Sequence, residues 1–135
     1  MNRLDAIDGL TARLGMLEAQ ALTLTDGGQE PFLRLAGEIR SNYFWAMQMG
    51  LEECIELVPH VRVGANHNED TLDRRLRAMH TTCVVMMMDA AEGIARLAAD
   101  LLGSLMMGLA DGLRFCHELA SELAPEPRPA VAGAA

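Results

Sequence analysis

Leu4, Ile7, Leu10 or Thr11, Leu14 and Leu17 recur at steps of three and four residues, the spacing that gathers side chains on one face of an α-helix. The pattern predicts a first helix over Asn2–Leu22, closed by the turn signal Thr25-Asp26-Gly27-Gly28. A second stripe runs through Phe32, Leu35, Ala36, Ile39, Tyr43, Ala46, Gly50, Cys54 and Leu57. Its helix is expected to begin at Glu30 or Pro31, because proline lacks an N–H that would be unpaired at the first helical position anyway. It is expected to stop at Val58, ahead of Pro59. Between Tyr43 and Leu51 the only polar side chain besides the tyrosine hydroxyl is Gln48, so this stretch is expected to be covered on all sides.

Pro59 to Asn68 reads as a loop, with Asn66 and Glu69 spaced like a capping box and Asn68 as the rival cap. From Glu69 to Leu123 there is no proline. Leu72, Leu76, Met79, Cys83, Met86, Ala90, Ile94, Leu97, Leu101, Leu105, Gly108, Gly112, Phe115, Leu119 and Leu123 keep one helical phase. Two arrangements satisfy this pattern: a break near Asp89–Gly93, or a single rod roughly 80 Å long at about 1.5 Å per residue. The rod would have to pair with another chain. The expected fold is all-α, an antiparallel bundle of three or four helices with a possibly very long C-terminal helix. Residues 1–123 form the expected single domain, and 124–135, with alternate prolines at Pro125, Pro127 and Pro129, an extended disordered tail.

Composition narrows the function classes. Half of the 135 residues are hydrophobic but only 4% are aromatic, so Leu, Ala and Met must fill the core. The net charge of −8 repels phosphate backbones and argues against nucleic-acid binding. All 11 basic residues are Arg, a bias of GC-rich coding that hints at a bacterial source. Cys54, Cys83 and Cys116 are odd in number and widely spaced, which suits buried free thiols in a reduced, cytoplasmic setting better than a disulfide framework. The N-terminus lacks a secretory pattern. The longest uncharged runs, such as Ser41–Leu51, Ala78–Met88 and Leu101–Ala110, reach about half of the ~20 residues a membrane helix needs, so no membrane partner is expected.

No catalytic motif emerges. A di-iron bundle needs paired Glu-x-x-His motifs, and no Glu is followed three places later by His. Glu52, Glu53 and Glu56 read as a solvated acidic face. His80-x-x-Cys83 and Cys116-His117 lack the spacing of a zinc motif, and buried thiols with partly buried histidines are the simpler reading. Met86-Met87-Met88 and Met106-Met107 fan out by about 100° per residue and do not converge as a soft-metal site must. Met86 and Met87 are expected in the core and Met88 at its edge. In the basic cluster Arg74-Arg75-x-Arg77, Asp70 precedes Arg74 by four and Asp73 precedes Arg77 by four, which reads as a salt-bridged surface. No catalytic residue, metal or cofactor is expected.

Two features stand above this background. Tyr43-Phe44-Trp45 holds three of the five aromatics over an arc of about 200° on a helix, so one ring should face a second surface. Ser104, Gly108 and Gly112 form a ladder of small residues that would let two helices approach closely. Gly103, about 100° away, should tolerate a side chain. These residues predict a non-enzymatic helical interaction protein that self-associates as a homo-oligomer or binds a protein partner. The alternative is a bundle that holds an apolar small ligand in a pocket of methionines and aromatics.

Overall fold

The computed structural model describes residues 1–61, 67–89 and 99–123. They form five helices: α1 (Arg3–Leu22), α2 (Gln29–Leu33), α3 (Gly37–Val61), α4 (His67–Asp89) and α5 (Ala99–Glu122). The four long helices make an antiparallel bundle in which α1 packs on α3, α3 on α4, α4 on α5, and α5 back on α1. The short α2 packs against α5 near one end. Among the described residues there is no strand, and no helix is long and apolar enough to cross a membrane.

Asn2 caps α1, its side-chain oxygen accepting from Asp5 N at 3.0 Å, which satisfies one of the N–H groups a helix start leaves open. The stripe Ile7, Leu10, Leu14 and Leu17 is buried as expected, whereas Leu4 is exposed. The turn after α1 needs glycine twice. Gly27 has φ +91°, the left-handed region glycine favours, and at Gly28 a Cβ would overlap the Thr23 carbonyl. Gln29 clips this turn, accepting from Gly27 N at 2.9 Å and donating to Thr25 O at 3.0 Å.

Both ends of the bundle are tied. At one, the Arg3 guanidinium donates to Val61 O at 3.1 Å and Leu123 O at 2.8 Å, placing a cation on the ends of α3 and α5, where helix carbonyls are unsatisfied. At the other, Tyr43 donates to Gln20 O at 2.7 Å and Ser41 to Met87 O at 3.0 Å. Phe32 of α2 meets Tyr43 and Phe44 edge-on at centroid distances of 5.2 and 5.9 Å. Phe44, Met47, Leu51, Leu72, Leu76, Leu102, Met106 and Leu113 fill the centre.

Several expectations are corrected. The second helix is two: α2 ends at Leu33, and α3 starts at Gly37. Buried Arg40 stabilises the corner by donating to Leu33 O at 3.0 Å and to Leu35 O, and Leu35 and Ile39 turn outward. Pro59 does not end α3; it lies in the last turn. Proline there removes one i→i−4 hydrogen bond, and the buried Val58 and Val61 hold the chain in place. The single rod is excluded, because a Cβ at Gly112 would lie 3.0 Å from the Met79 sulfur, whereas a straight helix would hold these residues about 50 Å apart. α4 ends at Asp89; the remaining residues of the expected break, the Asn66 cap and the tail lie outside the described residues. α5 is also re-phased: Leu102, Met106, Leu109, Leu113, Cys116 and Ala120 are buried, while Leu101, Gly108 and Phe115 are exposed.

Candidate functional site

The cyclic order of the helices gives the bundle four sides, and their chemistry alternates. The α3–α4 side is polar: Glu52, Glu56, Arg77, His80 and Thr81 border a cleft, with His80 Nε2 3.9 Å from Glu52 Oε1. The α5–α1 side carries the Arg114–Glu18 ion pair at 2.9 Å, with Asp111 3.9 Å from the same guanidinium. The other two sides, α1–α3 and α4–α5, lie opposite each other and expose more apolar surface, although each also carries charge.

The α1–α3 side is built around a close crossing. A Cβ at Gly50 would come within 2.8 Å of Leu17, so the glycine lets the helices approach and leaves a groove of about 320 Å³ beside them. Trp45, 52% exposed, and Met16, 72% exposed, border it together with Met49. The Arg13–Glu53 ion pair, 2.7 Å long, bounds the groove. The three consecutive aromatics therefore divide. Phe44 is fully buried, Tyr43 is half-buried and anchored through its hydroxyl, and Trp45 faces outward. Burial pushes the Tyr43 phenol up to about 12, so it serves as a hydrogen-bond donor. The expected all-round burial of Tyr43–Leu51 fails at Trp45, Ala46 and Met49, which sit on the outer face of α3.

On the α4–α5 side the ladder does not make a close helix crossing within the chain. Nothing lies within 4 Å of a Cβ built on Gly108. Ser104 and Gly108 are exposed and open onto a groove of about 360 Å³ with Ala78, Met79, Thr82 and Leu105. Gly112 receives the end of the Met79 side chain. Arg75 stacks on Phe115 at 4.1 Å from the ring centroid. The α5 glycine with a close neighbour is Gly103, where a Cβ would overlap the end of the Gln29 side chain. The expected open space at Gly103 is absent, because α2 folds against α5 there, a sequence-distant contact that periodicity does not register.

The three thiols are buried and free, and burial is the first cause that raises Cys54 to about 12 and Cys83 and Cys116 to about 11. They are protonated and poor nucleophiles at neutral pH. Among the described residues no group of three or more His, Cys, Asp and Glu is placed to hold a metal ion; His80–Cys83 and Cys116–His117 do not form one. Met86 and Met87, expected in the core, are only partly buried against it, and Met88, expected at its edge, is exposed. Arg77 pairs with Asp73 at 2.9 Å.

Sequence reasoning did not single out Met16, Met49, Val85 or Leu101. Met16 carries a readable signal, a large apolar residue just off the buried stripe of α1. Leu101 carries none, since it falls on the stripe that the sequence assigns to the core. Taken together the features define a class: an all-α, up-down bundle of four long helices with a short helix against one end and two opposed, more apolar sides. No family model, curated protein or solved structure matches the chain.

Proposed function

We propose that this chain is a non-enzymatic helical interaction protein that works in the cytoplasm through self-association, with the α1–α3 face around Trp45 as its working surface. The observation that carries the reading is the exposure of Trp45 beside Met16 and Met49 in one groove. Tryptophan dominates the energetics of many protein interfaces, and methionine adapts its shape to a partner. A groove open along one side suits side chains of another protein. Small-ligand sites enclose about 70–90% of their ligand, which makes the apolar-ligand alternative the weaker reading.

The chain has one tryptophan, so its fluorescence reports on this face alone. As protein concentration rises from nanomolar to high micromolar, Trp45 emission should move to shorter wavelength in step with the rise in mass seen by sedimentation. Emission that stays that of an exposed indole while mass increases would remove the Trp45 face from the assembly.

A further inference from the structure

We propose that Met16 is an oxidation site on the Trp45 face, and that its conversion to the sulfoxide by a hydroperoxide releases the assembly. The chain holds three cysteines and ten methionines, and packing decides which of these sulfurs an oxidant meets. The thiols are buried, and burial keeps them protonated, whereas the thiolate is the form that oxidises. Met47 and Met106 are fully buried and Met79 nearly so. Met1, Met16 and Met88 are the most exposed thioethers, followed by Met107 and Met49. Of these, Met16 and Met49 border the groove at Trp45. Met16, 72% exposed against 38% for Met49, is the one a dissolved oxidant reaches first.

The chemistry needs no catalytic group. A lone pair of the Met16 sulfur takes one peroxide oxygen and the O–O bond breaks. The proton on the transferred oxygen goes to the departing hydroxide, which leaves as water when the oxidant is hydrogen peroxide. The sulfur loses two electrons and the peroxide gains them. The product replaces an apolar, adaptable side chain with a polar one. In the single chain the new oxygen faces water. In an interface built on apolar contact with Leu17, Trp45, Ala46 and Met49 it loses that water. Arg13, the cation bordering the groove, is already held by Glu53 at 2.7 Å. Burial and oxidation therefore oppose each other: the sulfoxide weakens the interface, and the interface shields the thioether. The release step rests on the Trp45 reading; the reactivity of Met16 in the single chain does not.

The test treats the protein with hydrogen peroxide, maps each methionine by mass spectrometry, and follows assembly by sedimentation velocity with Trp45 emission on the same samples. In dilute protein Met16 should convert about as fast as Met88 and well ahead of Met47 and Met106. Above the assembly midpoint its conversion should slow several-fold while that of Met88 does not. Complete conversion of Met16 should raise the midpoint at least about tenfold in concentration and return Trp45 emission to that of an exposed indole. The two methionine sulfoxide reductases, one for each sulfoxide epimer, should reverse both changes. Met16→Leu removes the sulfur, so its midpoint, compared with its own untreated sample, should not move with peroxide. Met16→Gln is polar without oxidant and should start from a raised midpoint. Met16 that converts no faster than Met47 in dilute protein overturns the site itself. Unchanged assembly and emission after complete Met16 conversion overturn the release step and leave the Trp45 reading standing. Peroxide that dissociates Met16→Leu as it does the parent assigns the effect to another sulfur and overturns the proposal for Met16. A parent that assembles with no change in Trp45 emission and no shielding of Met16 overturns the Trp45 reading and the release step together, as does a parent that stays monomeric at every concentration.

Discussion

Two glycines of α5 have opposite roles although five residues separate them in sequence. Gly103 is buried against the Gln29 amide, and that amide holds the turn between α1 and α2 through two hydrogen bonds. Gly103→Ala should displace it. The methyl gains up to ~1 kcal/mol in helix propensity, but the two hydrogen bonds lost when the amide moves aside are worth about 1 kcal/mol each. The net expectation is a loss of about 1 kcal/mol. At Gly108 the same change meets open space and should stabilise the isolated chain by up to ~1 kcal/mol. Urea unfolding of both variants at low protein concentration reads the two signs. The buried thiols give a second residue-level expectation. Folding holds their protons at pH values where the unfolded chain releases them, above the ordinary thiol value of 9.0. Stability contributed by the protonated thiols is complete below about pH 9 and declines as pH rises toward about 11–12. Equilibrium unfolding across pH 8–11 on the Cys54→Ala variant beside its parent should show a shallower decline in the variant.

At the scale of elements, the corner between α2 and α3 depends on Arg40. Its guanidinium lies in the interior and donates to carbonyls of Leu33 and Leu35, so Arg40→Met should cost about 2–3 kcal/mol by leaving buried acceptors without that donor. Hydrogen exchange should then show the loss of protection concentrated in residues 29–43, with the middle of α5 unaffected at low denaturant. Uniform loss of protection would mean that the corner is not a separate unit of stability. The corner also explains why the stripe read through Leu35, Ala36 and Ile39 failed: a helix pattern carries across a three-residue break only if the break preserves phase, and here it does not.

For the whole molecule, an assembly of an acidic chain through the apolar part of the Trp45 face would have a distinctive salt response. Salt screens the repulsion between copies and leaves apolar contact intact. Raising ionic strength from about 0.05 to 0.5 M should therefore strengthen self-association, as read by sedimentation equilibrium. Weakening over the same range would point to ion pairs across the interface, of which Arg13–Glu53 and Arg114–Glu18, both within one chain here, would be the first to examine as exchanged partners.

The all-helical class was legible in the sequence because period-3.6 stripes, the near absence of β-favouring runs and the Asp26–Gly28 turn all point one way. The core of α1 followed directly, since Ile7, Leu10, Leu14 and Leu17 form a single clean stripe and are buried. So did the outward turn of one ring among Tyr43, Phe44 and Trp45, because no single helix face spans their arc. The sequence did not determine the rotation of α5. Its residues are apolar on two adjacent faces, Leu102–Met106–Leu113 and Leu101–Leu105–Phe115, and either could face inward. Only packing against α1, α2 and α4 decided that the first is core and the second lies at the surface. The same holds for the small residues: their spacing is local, but whether a glycine is needed depends on the atom brought opposite it, Gln29 at Gly103 and none within 4 Å at Gly108.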